Sequence, residues 1–213
     1  IEKGKPVYKK RGGFASLKTM INELRKQNPN NTLVIDGGDC FQGSGIAALT
    51  EGQAIIPLMN NISYDIMLPG NWEVVYGKEM MMKDMFAYSG VKVCANMFHD
   101  TKDEQKGELI FPPYFIKHIA GIKIGFIGYN DPLTPKRQSP AYSYGIEFTF
   151  PKKNIARYIH LLKEYEKCDM IFLLTHMAMA QEVGLANMPE VKGVDYILGA
   201  DTHERIRKPV EGA

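Results

Sequence analysis

The chain has 213 residues, of which 45% are hydrophobic and 23% charged. This composition is typical of globular proteins and excludes a disordered, collagen-like or coiled-coil chain. The chain carries 26 Lys and Arg against 24 Asp and Glu, a formal net charge of +2, so electrostatics do not favour a nucleic-acid polymer as partner. No apolar run reaches the roughly 20 residues of a membrane span, and the first residues show no signal-peptide pattern. The length predicts a single domain over residues 1–213.

Helix-like and strand-like segments alternate in the first half of the chain. Residues 13–27 carry Leu17, Met20, Ile21 and Leu24 at helical spacing, which predicts an amphipathic helix. Further helices are predicted over residues 46–60 and 77–88, and short strands over residues 32–36, 66–68 and 91–95.

The second half begins with two β-rich runs, residues 114–119 and 122–127, joined by Ala120 and Gly121. This spacing predicts an antiparallel hairpin. A helix over residues 155–165 follows, then apolar strands at 170–174 and 194–198 with a helix near Ala180 between them. Continuous apolar strands are typical of a sheet that is buried on both faces. The alternation predicts an α/β fold.

The chain has three cysteines, an odd number, at scattered spacings. They indicate neither a disulfide framework nor a CxxC metal-binding motif. Cys94 and Cys168 lie in or beside apolar runs and are interpreted as buried, inert thiols. Cys40 follows a Gly-Gly-Asp turn and is placed close to any site formed there.

Polar side chains that can bind a metal follow four of the predicted strands. In chain order these are Asp39, Asn71, His176 and the pair Asp201 and His203. Sites in open α/β sheets form outside the carboxyl ends of the strands, so these side chains are expected to converge if the strands are parallel neighbours. Carboxylate, amide and imidazole ligands suit Mn, Zn or Fe. A carboxylate can also bridge two such metals, the arrangement common in phosphoester hydrolysis.

Each of these residues also has a purely structural interpretation. Asp39 can form an Asx turn or cap a helix near Gln42. Asn71 can be an ordinary turn residue, His176 a buried structural histidine, and Asp201 with His203 a capping pair. The coincidence of all of them at strand ends favours the metal site.

At these positions the sequence resembles the calcineurin-like metallophosphoesterases, in particular their 5′-nucleotidase and sulfur-oxidation thiosulfohydrolase group. The resemblance rests on DGGDCFQGS at 36–44, GNWE at 70–73, LLTH at 173–176 and GADTH at 199–203. The stretch GGFASLKTMINELRKQNPNN and the hairpin IAGIKIGFIG are similar to segments of the same family. The motifs extend over nearly the whole chain in the family's order.

This resemblance implies a four-layer α/β/β/α sandwich with two divalent metals at the strand ends. Asp39 would bridge the metals, Asn71, His176 and the position of Asp201 would bind one of them, and His203 would bind the other. Asp39, Asn71 and Trp72 would line the catalytic centre. Arg205 and Arg207, with Lys208, are candidates for binding an anionic substrate, although these three can also form an ordinary solvated loop.

The sequence departs from the family at three places. The family begins with a strand carrying Asp-x-His, which is absent before Gly12; it would lie upstream of Ile1, so the first strand is missing and this chain is expected to bind one metal or none. Asp201 stands where the family has a histidine. Trp72 replaces a histidine that assists the leaving group, and indole cannot act as an acid or base at neutral pH. By this resemblance, the domain over residues 1–213 is expected to lack segments of the family both before Ile1 and after its last residue.

Three functions remain open from the sequence. The first is a 5′-nucleotidase-like phosphoesterase acting on nucleotides or other phosphate esters. The second is a thiosulfohydrolase that releases sulfate from a cysteine S-sulfonate on a carrier protein; the Trp72 variant of the motif favours it. The third is a truncated or non-catalytic metal-binding module. By resemblance alone, a periplasmic or exported location is expected.

Overall fold

Two β-sheets lie face to face between two layers of helices in a computed structural model, which describes residues 4, 6, 12–100 and 105–212. The first sheet contains β1 (Ile35–Asp36), β2 (Ile66–Met67) and β3 (Val91–Lys92), in that order and all parallel. Its helices are α1 (Phe14–Gln27), α2 (Gly45–Leu49), α3 (Ile56–Ile62) and α4 (Lys78–Ala87).

The second sheet has the order β5, β6, β8, β9, with strands Tyr114–Ile119, Ile122–Asn130, Met170–His176 and Tyr196–Ala200. Strands β5 and β6 form the predicted antiparallel hairpin, whereas β6, β8 and β9 run parallel. Its helices are α6 (Ile155–His160), which continues as a π-helical turn over Leu161–Tyr165, and α7 (Met179–Ala186). A separate ribbon pairs β4 (Met97–His99) with β7 (Ile146–Phe148), and α5 (Thr134–Arg137) lies between them in the sequence.

Alternation along β8 explains how the second sheet is covered on both faces. Phe172 and Leu174 join the core shared with the first sheet, whereas Ile171 and Leu173 join a second core under α6 and α7. Successive side chains of a strand point to opposite faces, so a continuous apolar run fills both cores. The result is the expected α/β/β/α order of layers.

The prediction of one continuous helix over residues 46–60 was wrong, because the structure has two helices there, α2 and α3. The chain turns between α2 and α3, where Glu51 and Gly52 both have positive φ angles of 50° and 91°. A helix cannot continue through residues in this left-handed region. Pro57 then occupies one of the first positions of α3, where its missing N–H costs no helical hydrogen bond.

Several strand limits also differ from prediction, mainly because pairing across the sheet determines where a strand ends. Strand β6 extends to Asn130 and β8 to His176, since residues at their ends pair with each other. The first sheet's strands are shorter than predicted. The short strands β4 and β7 and helix α5 were not predicted; β4 and β7 depend on pairing between segments far apart in the sequence.

Candidate metal centre

Loops from both sheets meet at one edge of the molecule. Asp39 and Asn71 follow β1 and β2 in the first sheet, while His176 ends β8 and Asp201 follows β9 in the second. These four side chains converge as predicted, whereas His203 does not join them, and the strands are not neighbours in a single sheet. Convergence results from the stacking of two sheets whose parallel strands end at the same edge.

His176 lies at the centre of this group. Its Nε2 atom is 3.1 Å from Oδ2 of Asp39 and 3.1 Å from Oδ1 of Asn71. The same nitrogen is 3.7 Å from Oδ1 of Asp201. Ligand atoms of Asp39, His176 and Asp201 all lie within 4.8 Å of one another. Four of the predicted metal ligands therefore form one cluster.

The other ring nitrogen of His176 fixes the orientation of the imidazole. Nδ1 is 2.6 Å from the carbonyl oxygen of Gly37, and a carbonyl can only accept, so Nδ1–H is the donor. Nε2 then faces Asp39, Asn71 and Asp201. Burial disfavours the charged imidazolium, but the hydrogen bond and negative charge of Asp39 outweigh it and raise the pKa of His176 to about 9.

Glu73 holds the loops that carry Asp39 and Asn71. Its buried carboxylate accepts backbone N–H bonds from Asp39 and Gly70 at Oε2, at 2.7 and 2.5 Å, and from Cys40 and Phe41 at Oε1, at 2.6 and 3.3 Å. Burial and the charge of Asp39 raise the pKa of Glu73 to about 7. The two loops are thus fixed to each other through one side chain.

Asp39 itself adopts a backbone conformation that few residues other than glycine populate. Its φ angle is 66°, and its Oδ1 accepts the backbone N–H of Trp72 at 2.8 Å. Asp201 and His203 also have positive φ angles, of 89° and 58°. Such strained conformations cluster at functional sites because the surrounding structure must hold them in place.

Gly70 can only be a glycine, because it lies between two of the candidate ligands. A Cβ atom at this position would be 2.6 Å from Cε1 of His176 and would also overlap Oδ1 of Asp39. Gly38 is equally confined, since its Cβ would be 2.7 Å from the carbonyl oxygen of Leu68. Both glycines permit the close approach of loops that a side chain would separate.

Asn71 and its loop are held from the second sheet. The side chain of Gln138 donates to the carbonyl oxygen of Asn71 at 2.9 Å, and the amide of Asn71 donates to Oε1 of Gln138 at 3.3 Å. The buried side chain of Asn130 donates to the carbonyl oxygen of Pro69 at 2.6 Å. Asn130 in turn accepts from the hydroxyl of Thr134 at 3.1 Å.

Asp201 is bound to a basic residue at the end of helix α5, which follows β6. Nη1 of Arg137 is 3.0 Å from Oδ2 of Asp201 and also forms an ion pair with Oδ2 of Asp131. Asp131 is fully buried and accepts two further bonds at Oδ1, from the backbone N–H of Leu133 and the side chain of Gln181, at 2.9 and 3.0 Å.

This donor set fits a divalent metal. Two carboxylates, an amide oxygen and an imidazole nitrogen directed by a carbonyl acceptor match the ligands that Mn, Zn and Fe take in proteins. Asp39, Asn71, His176 and Asp201 would hold the ion. Among the residues that the structure describes, this is one cluster of ligands and not two.

Other predicted site residues lie outside the cluster. His203 is exposed beyond Asp201, and Arg205, Arg207 and Lys208 are exposed in the segment after it. The side chain of Trp72 is half-buried beside Asn71, and its backbone reaches Asp39. The structural interpretation of Asp39 as a helix cap does not apply, because Ser44 caps α2. Cys40 lies near the site as expected, with Sγ 3.2 Å from both carboxylate oxygens of Asp36.

The positioning residues were not found from the sequence. Glu73 lies in the GNWE motif, which does not by itself indicate its role, and Arg137 and Gln138 lie on the unpredicted helix α5 or at its end. One signal was available: Asn130 and Asp131 follow the apolar run of β6, as the candidate ligands follow their own runs. The sequence predicts that the strand ends at Ile127, which conceals this pattern.

The layers and the ligand set define a metallophosphoesterase-like domain. The model of the calcineurin-like phosphoesterase family matches residues 10–205. The chain therefore belongs to the calcineurin-like phosphoesterases. Members of this family use a dinuclear divalent metal centre. Across the residues described, no helix has the length and apolar character needed to cross a membrane.

Similar proteins are longer than this chain. The 5′-nucleotidase of Vibrio cholerae serotype O1 is 31% identical over 207 residues, covering 91% of this chain but 37% of that protein. Among solved structures, the sulfate thiohydrolase SoxB of Thermus thermophilus has a TM-score of 0.83 at 23% identity, over 93% of this chain and 36% of that one. The NAD nucleotidase of Haemophilus influenzae has a TM-score of 0.77 at 25% identity, over 90% and 33%. The likeness to SoxB shows the fold alone.

Proposed function

We propose that this chain carries the metal-binding core of a 5′-nucleotidase-like hydrolase that cleaves phosphate esters of nucleotides or similar small anions. The observation that carries the proposal is the cluster of Asp39, Asn71, His176 and Asp201 at the meeting point of two sheets. A divalent metal there would polarise the phosphoryl group and stabilise charge that develops in the reaction. The 31% identity to a 5′-nucleotidase supports the phosphoester as substrate.

The chain's own residues divide into ligands and residues that hold them. Asp39 and His176 would bind the ion directly, and Glu73 fixes the backbone that presents Asp39. Arg205 and Arg207 remain candidates for contacting the substrate, since exposed guanidinium groups beyond β9 are free to bind phosphate. The second metal ion, export to the periplasm and a role in nucleotide catabolism belong to the same proposal and rest on the resemblance.

Calorimetric titration of Mn²⁺, followed by Zn²⁺, tests the metal site. The parent chain should bind saturably, and Asp39→Ala should abolish binding because it removes one of the two carboxylates of the cluster. Glu79→Ala is the matched control: it deletes an exposed carboxylate on α4 and should bind as the parent does. A parent chain that binds neither ion would overturn the proposed site.

A substrate comparison separates the leading proposal from its alternative. The metal-loaded chain is assayed for phosphate release from adenosine monophosphate and for sulfate release from a peptide carrying a cysteine S-sulfonate. Phosphate release that Asp39→Ala abolishes supports the nucleotidase.

The alternative is a thiosulfohydrolase whose substrate is carried on a protein. Trp72 favours it, because the GNWE form of the motif at 70–73 resembles that of the thiosulfohydrolases. An indole also offers one hydrogen bond and no proton transfer at neutral pH, which weakens the case for a simple phosphomonoesterase. Sulfate release without phosphate release would decide for this alternative. Saturable metal binding without either activity would support the third possibility, a non-catalytic metal-binding module.

A further inference from the structure

We infer that Arg137 and Asp131 form a positioning pair that directs the carboxylate of Asp201 into the metal cluster; this inference rests on the proposed metal centre. The pair belongs to the segment that follows β6, whereas Asp201 follows β9, and Arg137 and Asp201 are 64 residues apart in the sequence. Neither Arg137 nor Asp131 is among the predicted metal ligands, so their role is to act through Asp201.

Asp201 needs support that its own segment does not supply. It lies at the end of β9, the outermost strand of its sheet, and the residues that follow it are exposed. Its φ angle of 89° lies in a region that non-glycine residues rarely adopt. Among the described residues, its side-chain partners are Arg137 and His176. A carboxylate on such a loop would sample several orientations without a fixed partner.

The two oxygens of Asp201 are divided between two tasks. Oδ2 accepts from Nη1 of Arg137 at 3.0 Å, while Oδ1 faces Nε2 of His176 at 3.7 Å. With Oδ2 held in this way, Oδ1 is the atom available to a metal. Residues that hydrogen-bond to a ligating carboxylate orient it and raise the affinity of the site.

Asp131 provides the anchor for Arg137. The exposed fraction of the Asp131 side chain is 0%, against 41% for Arg137, so the buried carboxylate is the rigid partner and the guanidinium reaches outward from it. Leu133 and Gln181 hold Oδ1 of Asp131, which leaves Oδ2 for Arg137. The buried carboxylate of Asp131 therefore holds the guanidinium of Arg137, and Arg137 in turn holds the carboxylate of Asp201.

A guanidinium close to a metal could also weaken binding by simple repulsion, and the two effects have opposite signs. If Arg137 acts by positioning, removing it lowers metal affinity. If it acts only through its charge, removing it raises affinity. Measurement of affinity therefore decides between them.

The experiment is a calorimetric titration of Mn²⁺ into the 213-residue parent chain and its variants. Arg137→Met keeps the aliphatic stem and should weaken binding by about 10–100-fold, the usual effect of losing a residue that orients a ligand. Arg137→Lys restores a cationic donor and should recover part of the loss. Lys136→Met is the control, since it removes an exposed positive charge from the same helix and should leave affinity unchanged.

Two further variants keep the test decisive. Asp131→Asn retains the shape of the anchor but weakens its hold on Arg137, so it should also lower the affinity for Mn²⁺. Thermal unfolding of the metal-free variants shows whether each of them folds. If Arg137→Met does not fold, Asp131→Asn still tests the positioning role. In an Asp201→Asn background, Arg137→Met should lose most of its effect, because the carboxylate that Arg137 orients is gone.

The outcomes separate the inference from the function on which it rests. A parent chain that does not bind Mn²⁺ overturns the proposed metal centre. A parent that binds, with equal or tighter binding in Arg137→Met and in Asp131→Asn, overturns only the positioning role. The positioning role would also be overturned if Arg137→Met lowered the affinity for Mn²⁺ as much in the Asp201→Asn background as in the parent.

Discussion

The imidazole of His176 and the carboxylate of Asp39 meet across the junction of the two sheets, with Nε2 and Oδ2 3.1 Å apart. Each is fixed from behind: His176 by the carbonyl of Gly37, and Asp39 through its backbone N–H by Glu73. The two candidate ligands are therefore oriented by contacts outside the cluster. Such preorganisation reduces the cost of assembling a metal site.

Glu73→Gln should destabilise the chain by about 2–4 kcal/mol, because an amide NH₂ would replace one carboxylate oxygen and face backbone N–H groups that need an acceptor. Four such groups are bound by Glu73 in the native structure. Thermal and urea unfolding of the metal-free chain measure the loss. Glu79→Gln, which changes an exposed carboxylate on α4, serves as the control. If the two variants were equally stable, Glu73 would not be the link between the loops.

Gly70→Ala should weaken Mn²⁺ binding by at least about tenfold, because it would move the candidate ligands out of the geometry that binds the ion. The new methyl group would lie between Asp39 and His176 and force them apart. Calorimetric titration measures the change. Gly184→Ala in α7, where no atom lies within 4 Å of the added carbon, should bind metal normally and gain up to about 1 kcal/mol of stability from helix propensity. Unchanged binding in Gly70→Ala would refute the close packing of Gly70 between the two ligands.

Asp84→Asn should become more stable relative to the parent as pH rises from 4 to 7. Asp84 is buried on α4 and its Oδ2 has no hydrogen-bond partner among the described residues. Burial raises the pKa of Asp84 from 3.8 to about 6; the charge of Lys83 partly opposes this and that of Glu51 adds to it.

The sign follows from linkage. The folded state binds the proton more tightly than the unfolded state, so the parent loses stability as pH rises through this window. The amide that Asp84→Asn introduces cannot ionise, so the variant escapes that loss. The melting temperature of the variant relative to that of the parent should therefore rise by several degrees between pH 4 and pH 7, at about 2–4 °C for each kcal/mol. A difference that does not vary with pH would contradict this account.

Asn130→Leu should cost about 2–4 kcal/mol, since it leaves the buried carbonyl of Pro69 and the hydroxyl of Thr134 without their partner. The loop that carries Asn71 should loosen as well. Urea unfolding gives the stability change, and the exposed Asn61→Leu should change it by less than about 0.5 kcal/mol. If both variants unfold at the same urea concentration, the buried amide does not support this loop.

Local patterns were sufficient for the elements whose formation depends on nearby residues. Helix α1 and the hairpin of β5 and β6 lie where periodicity and the Ala120–Gly121 turn predicted them. The division of residues 46–60 into two helices was not foreseen. Gly52 lies beneath Phe41 and Asp84, and these contacts come from segments that no local window includes.

The amino-acid sequence indicates the kinds of candidate ligand and their position after strands, because apolar runs are buried and polar residues must leave the core where those runs end. It also determined the family, through motifs in a fixed order. The three-dimensional packing alone places Asp39 and Asn71 on one sheet and His176 and Asp201 on the other. It alone revealed Glu73 and Arg137 as the residues that hold them, since hydrogen bonds between distant segments depend on sheet stacking and leave no periodic trace in the sequence.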